Sequence, residues 1–494
     1  MVLHLNIYVQ FTKKIIFINT ILYQNRTKGY LSLTRGTDMA DDAVNALIPV
    51  AAVVHIALGV MALMLVRRTI EREWNEIYAG YVISWMMIVL GLEYTFATLI
   101  DLKIDNFTDQ DMINGAYADL FSSSYKYSEQ ALNSIFIGLS LILPLIYPYP
   151  ILQKDNAVKV TTFLVVIICI LVIPIDIFTD FSNRDIKESL NWICYLIWTP
   201  IYLRFLIGEM LYDEENARIV SSVALLLLLS FKVQWMIFWL QNFLGIGKVY
   251  VARWLVEDDL MGIASQSEIS SSIFYPISMS LSSVTFIILL SGELWRAYHK
   301  GISGLTISIL VLSIVGVIWF LSTLIVMDTA QSCVETVCQN WNQTFVDWFA
   351  FTYQVSIYLI VPLIFMFIIL NYDLVDTKSK FSKAVTRIMV LLLLLVATSS
   401  IIEMIQIVLP IPEMVTSALF ASGVVLFIGW EEKIMDKMMA GSQSAVECVN
   451  NILPMKNSKI DDKQFQIFSI SVMCLVVYGL LLAVLFDSMG LNSR

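Results

Sequence analysis

The sequence predicts an all-α integral membrane protein of twelve transmembrane helices, arranged as two parallel, duplicated six-helix halves. Three observations predict it: the composition, the lengths of the apolar runs, and the sidedness of lysine and arginine. The 494 residues are 58% hydrophobic and 15% charged, with a mean hydropathy of +0.75. Soluble chains carry about 25% charged and about 45–50% apolar residues. A soluble enzyme is excluded.

A helix needs about 20 mostly apolar residues to cross the hydrocarbon core, because each residue rises about 1.5 Å. Six runs of that order fall in the first half: Ala46–Val66, Ile77–Ile100, Ala131–Leu152, Val160–Phe178, Leu190–Leu211 and Ile219–Phe243. Six more follow: Ile269–Leu290, Leu305–Met327, Trp348–Leu370, Ile388–Leu409, Met414–Trp430 and Phe465–Phe486. The runs are too long for barrel strands and lack their alternation, so helices are expected.

Basic residues flanking the spans set orientation, and acids contribute little. One set of connections holds Arg67, Arg68, Arg72, Lys154, Lys159, Arg218, Arg296, Lys300, Lys378, Lys380, Lys383, Arg387, Lys433, Lys437, Lys456, Lys459 and Lys463, a total of 17. The alternate set holds seven: Lys103, Lys126, Arg184, Lys187, Lys248, Arg253 and Arg494. The richer set is expected on the cytoplasmic side of a cell membrane. Asp41, Asp42 and the C-terminus then lie outside. The outer connections are acidic, with six carboxylates against two lysines between Asp101 and Glu129. That surface is either a solvated halo or a field drawing cations towards an entrance.

Residues 1–38 fit this topology poorly. Lys13, Lys14, Arg26, Lys28 and Arg35 occur there before the first acid, Asp38. A translation start at Met39, a targeting peptide, or a cytoplasmic arm with Ile15–Tyr23 dipping into the membrane would each account for them. The expected organisation is this basic segment, a first bundle over 39–243, an outer linker over 244–268, and a second bundle over 269–494.

The duplication rests on four matches in the same order. SLILPLIYPYPIL aligns with IYLIVPLIFMFIIL and pairs Pro144 with Pro362; FLIGEM aligns with LFIGWE and pairs Gly208 with Gly429. Asp101 and Asp328 each close the second span of a half. Asp176 and Glu403 end spans 4 and 10, following Lys159 and Arg387 by 17 and 16 residues. An even number of spans per half makes the copies parallel.

Ionisable groups inside spans cost roughly 2.5–3.5 kcal/mol each on the insertion scale, so each needs a partner, water or a purpose. Lys232, Glu93, Arg204 and His55 are the candidates for a pathway or an ion pair, and all lie in the first half. Where the repeat aligns them, Glu93 falls against Trp319 or Phe320 and Arg204 against Val425. Pairing of Lys232 with Glu93 is one expectation; a helix-locking pair or a snorkelling lysine is the structural alternative. Glu209 and Glu293 are expected to reach water at cytoplasmic helix ends. Asp176 and Glu403 are candidate outer carboxylates for a cation or proton, or simply mark emerging helix ends.

Catalytic and metal signatures are missing. His4, His55 and His299 lie on segments too distant for ligand spacing, and no HExxH, GxxxxGK[ST] or GxSxG motif occurs. Glu257, Asp258 and Asp259 read as a solvated linker. No cofactor is implied and no nucleic-acid module fits. Cys333 and Cys338 share an outer loop, where a disulfide is expected, and Asn342-Gln343-Thr344 is a glycosylation sequon. Ile434, Met435, Met438 and Met439 have the spacing of an amphipathic helix on the membrane surface.

The expected function is a secondary carrier or permease for a small solute, with the lipid bilayer and that solute as partners. A non-transporting sensor or assembly scaffold acting through its outer loops is the alternative. The sparse glycine, 20 residues, favours the alternative, since carriers often break helices around ligands. An enzyme is not expected; a lipid-modifying one would need converging acids that no motif supplies.

Overall fold

A computed structural model describes residues 37–69, 72–104, 123–178, 184–232, 274–300, 358–372, 374–375, 380–408, 443–454 and 462–489, with isolated positions between 355 and 433. Among these residues the fold is all-helical. The helices are α1 (Thr37–Val66), α2 (Trp74–Ile104), α3 (Ser124–Ile146), α4 (Asp155–Phe178), α5 (Arg184–Tyr212) and α6 (Glu215–Lys232). The series continues with α7 (Phe274–Lys300), α8 (Ile360–Asn371), α9 (Lys380–Val408), α10 (Ala445–Ile452) and α11 (Asp462–Ser488).

Seven helices are long and apolar enough to cross a membrane. Their spanning segments are Leu47–Val66, Trp74–Ile100, Ser124–Ile146, Asp155–Phe178, Ser189–Tyr212, Ser382–Ile402 and Lys463–Ser488. They coincide with the first five, the tenth and the twelfth of the apolar runs. Helices α6, α7 and α8 fall on the sixth, seventh and ninth. The eighth run and most of the eleventh lie outside the described residues, as do Cys333, Cys338, the linker 244–268 and the sequon.

The surface is that of a protein solvated by hydrocarbon. On α11 the residues Ile467, Ile470, Met473, Val477, Leu481 and Val484 are exposed, while Phe465, Phe468, Val472, Leu475, Val476 and Ala483 are buried. The three- and four-residue spacing makes the outward stripe as apolar as the core, a pattern suited to lipid rather than water. Val160, Phe163, Leu164, Leu171 and Ile175 do the same on α4. Several hydroxyls within spans are satisfied on their own helix: Ser84 donates to Gly80 O at 2.6 Å, Thr95 to Gly91 O at 2.8 Å, and Thr98 to Tyr94 O at 2.8 Å. In hydrocarbon this local bond replaces the water that a surface hydroxyl would use.

Packing is closest between α1 and α2. A Cβ placed on Gly59 would sit 2.9 Å from Ile88 N and from Ser84 O, and one on Gly91 would sit 2.8 Å from Ile56 N. Only hydrogen at these positions lets the two backbones approach so closely. On the core side, Trp198 of α5 is fully buried and its Nε1 donates to Tyr147 O at 3.3 Å, fixing α5 against the end of α3. The α5–α6 turn passes through Asp213, whose φ of 54° is the left-handed region that aspartate tolerates better than most residues.

The described helices of the second half pack on the first. Helix α11 lies against α2, α3 and α4, α7 against α5, α8 against α1, α2 and α6, and α9 against α1. Tyr478 of α11 donates to Ile170 O of α4 at 3.2 Å, and its Phe465 stacks on Tyr81 of α2 at 5.6 Å. The helix bearing Pro144 ends two residues later at Ile146, whereas that bearing Pro362 runs nine residues further, to Asn371. The paired prolines therefore sit at different distances from their helix ends.

Residues 434–439 lie outside the described residues. A short helix is described just beyond them, at α10, and it is packed rather than laid on a surface. Ala445, Val446, Cys448 and Val449 are buried, with α10 against α6. Ser444 caps it by accepting from Glu447 N at 2.9 Å, and the Ser444 hydroxyl also bonds Glu76 at the start of α2. Burial, then the carboxylates of Glu447 and Glu76, push the Cys448 thiol up to about 11. At neutral pH that thiol is almost wholly protonated and unreactive. In a background lacking Cys333 and Cys338, maleimide labelling of Cys448 is expected to be slow, and at least tenfold faster in Glu76→Gln. That change weakens the bond from Ser444 to the start of α2 by making its acceptor neutral, and removes one charge holding the proton on sulfur. Equal rates would show that α10 is not held by Glu76.

Candidate functional site

The sequence-selected charges do not gather in one place. Among the described residues, some fall in a polar layer at the expected outer ends of α2–α5 and others in a buried node at the expected inner ends of α5–α7, while Arg204 belongs to neither.

The outer layer begins with Glu93 on α2. Asn133 of α3 donates to its Oε1 at 3.0 Å, while its Oε2 is sealed from solvent without a hydrogen-bond partner among the described residues. One turn nearer the outer end, Lys126 pairs with Glu129 at 2.7 Å. Lys187 of α5 reaches across to donate to Gln130 Oε1 at 2.9 Å and to pair with Asp176 of α4. Asp176 is 3% exposed and Lys187 8%, so both charges are out of water and the pair must satisfy itself. Two lysines thus engage two carboxylates, and the partner of Glu93 among the described residues is an amide.

Asp176 is therefore no emerging helix end; it is a buried carboxylate whose cation comes from the next helix. The side chain of Glu403 lies outside the described residues, and so does that of Lys232. The backbone of α6 carries Lys232 about 25 Å from Glu215, by helical rise. Its neighbour Phe231 stacks on Phe136 at 5.9 Å, one turn from Asn133. The described partner of Glu93 is Asn133.

His55 of α1 is fully buried. Its Nδ1 lies 2.8 Å from Ala51 O and is the donor of that pair, which leaves Nε2 as an acceptor without a partner among the described residues. The ring meets the edge of Tyr94 at 5.2 Å, and Tyr94 meets Tyr358 at 5.0 Å. Tyr94 follows Glu93 directly, so the histidine flanks the outer layer. Arg204, by contrast, is exposed on α5 and leans on Phe205 at 6.0 Å. A Cβ on Gly208 would lie 3.1 Å from Arg204 Nη1 and 3.2 Å from Glu214 Oε2. The missing side chain at Gly208 gives the arginine room to run towards the helix end and water.

The inner node corrects the expectation for Glu209 and Glu293. Neither reaches water: each is 1% exposed, and Arg296 between them is 2% exposed. Arg296 pairs with Glu209 of α5 at 2.7 Å and with Glu293 of its own helix at 2.7 Å. Its guanidinium also donates to Ser221 and Ser222 of α6. Apolar-run counting had assigned Arg296 to a loop, because a run ends where charges start. The i,i+3 spacing of Glu293 and Arg296 was the available signal.

A cavity of about 10 Å³ lies beside the outer layer, lined by Ser134, Gly138, Cys169 and Lys187 among others. It has room for about one water, not for a solute. No group of three or more His, Cys, Asp or Glu residues able to hold a metal occurs among the described residues. No family model matches the chain, and no curated protein or solved structure matches it either.

Proposed function

We propose that this chain is a twelve-span, two-halved secondary carrier for a small solute, coupled to a proton or cation through Glu93. The orientation we infer places residues from Met39 and the C-terminus outside the cell membrane and the lysine-rich turns within. The observation that carries the reading is the state of Glu93. An intramembrane carboxylate with one oxygen unserved among the described residues, beside a layer whose other described charges are paired, is a costly arrangement that transport would explain. Aqueous access from the acidic outer side and a proton or cation exchanged at Oε2 would complete the cycle. His55, with its own unserved nitrogen nearby, is the second group on that route.

The reading is tested with purified protein in vesicles loaded with a pH-sensitive dye. Panels of amino acids, sugars and organic acids are added under an inward proton gradient. At least one is expected to enter with acidification, and Glu93→Gln is expected to reduce that coupled flux tenfold or more while leaving the protein folded. Flux unchanged by Glu93→Gln would remove Glu93 from the cycle.

One observation favours a second reading, a non-transporting sensor or scaffold. The described interior is densely packed, as the α1–α2 glycine contacts and the water-sized cavity attest. Folded protein that moves no member of the panel and no protons would support that reading.

A further inference from the structure

The outward stripe of α5 is broken by one charge. Ile193, Leu196, Pro200, Arg204, Ile207 and Leu211 are exposed at the three- and four-residue spacing of a single helix face. All but Arg204 are apolar, as a lipid-facing stripe requires. Arg204 lies eight residues inside the end of the spanning segment at Tyr212, about 12 Å by helical rise. A guanidinium keeps its proton, so at this depth it must reach an anion or water.

The course of the side chain shows which way it reaches. Cα–Cβ bonds tilt towards a helix's N-terminus, which for α5 is the expected outer end. The guanidinium runs the other way. Its Nη1 lies 3.1 Å from where a Cβ of Gly208 would sit, one turn nearer the α5–α6 turn. One turn further is the end of the span, so the charge is delivered to the edge of the lipid headgroups.

The groups around that position are unpaired. Arg204 has the Phe205 ring at 6.0 Å and no carboxylate as an ion-pair partner among the described residues. Glu214 Oε2 lies 3.2 Å from the same point at Gly208 and has no hydrogen-bond donor among the described residues. Glu215, next to it, is exposed. A positive group on the hydrocarbon side and carboxylates on the water side thus flank one notch over Gly208.

That order of charges complements a phosphoethanolamine headgroup, whose phosphate is bonded to glycerol near the hydrocarbon and whose ammonium lies beyond it. A guanidinium binds phosphate through paired N–H donors. A primary ammonium can donate to a carboxylate, whereas the quaternary ammonium of choline has no N–H. A headgroup of net negative charge is repelled by the two glutamates.

We propose that α5 carries a site for one phosphatidylethanolamine molecule in the leaflet beside the α5–α6 turn. Its phosphate rests on Arg204, its ammonium faces Glu214 and Glu215, and its acyl chains lie along Ile193, Leu196 and Pro200. In the orientation inferred above that leaflet is the cytoplasmic one. The site goes beyond the carrier reading and stands without it, because bound lipid is counted whether or not any solute moves.

The test is native mass spectrometry of the full chain, released from detergent micelles after titration with lipids of identical acyl chains. Phosphatidylethanolamine is expected to bind at least tenfold more tightly than phosphatidylcholine, phosphatidylglycerol or diacylglycerol. Arg204→Gln should weaken its binding tenfold or more, and Arg204→Lys less, since an ammonium keeps the charge but not the paired donors. Glu214→Gln combined with Glu215→Gln should bring phosphatidylglycerol level with phosphatidylethanolamine. Equal binding of diacylglycerol and phosphatidylethanolamine would overturn the proposal, as would unchanged binding in Arg204→Gln. Displacement of the lipid by inorganic phosphate would also overturn it, by showing a site for free anions. If Arg204→Gln does not fold, the double glutamine variant decides, because unaltered discrimination against phosphatidylglycerol would remove the glutamates from the site.

Discussion

Arg296→Met is expected to destabilise the folded chain by about 3–5 kcal/mol, because it removes the guanidinium that pairs with buried Glu293 and Glu209. The cost is not the loss of attraction alone. Glu209 and Glu293 are each 1% exposed, so neither can turn to water without opening α7 away from α5. Unfolding by sodium dodecyl sulfate in mixed micelles measures the loss. The triple variant Arg296→Met, Glu209→Gln and Glu293→Gln should recover most of it, since amides need no counter-charge and Tyr202 can still donate. If the single variant costs under about 1 kcal/mol, the node is hydrated and its charges are screened, as exposed pairs are.

The second large effect is expected at Lys187→Met, again about 3–5 kcal/mol, because buried Asp176 loses the ammonium that pairs with it. Asp176→Asn alone should cost less, because Lys187 retains Gln130 Oε1 at 2.9 Å and can extend its flexible stem towards the outer face. The double variant Lys187→Met, Asp176→Asn is expected to be more stable than Lys187→Met. A cycle over the four proteins gives the coupling directly. Additive single effects would show that α4 and α5 are not joined by this pair.

The transmembrane character and the positions of the first five spans were legible in the sequence because they rest on long apolar runs. What escaped was polar and helical at once. The apolar criterion started the third span at Ala131, yet α3 begins at Ser124. The turn it cut off contains Lys126, Glu129 and Gln130, which build the outer layer. Lys126 and Lys187 entered the topology count as loop charges, but both are buried. A hydropathy window cannot separate a charged turn in water from one folded into its neighbours, since the difference is made by partners on other helices.

The intramembrane candidates separated for a related reason. His55 and Glu93 lie on faces that α1, α2 and α3 turn towards each other, so both are enclosed. Arg204 is as polar and as deep in sequence, but its face of α5 points outward beside Gly208. Spacing within one helix gives the face, and only the packing says what that face meets. Pairing of Lys232 with Glu93 is an expectation across helices of that kind; the Lys232 side chain lies outside the described residues, and the amide of Asn133 occupies one side of the carboxylate.

The hydrogen-only contacts at Gly59 and Gly91 also bear on motion. Two rods touching main chain to main chain have no cushion of side chains to shear across, so α1 and α2 travel as one piece. Relative movement of the helices is therefore expected at contacts cushioned by side chains rather than at this one.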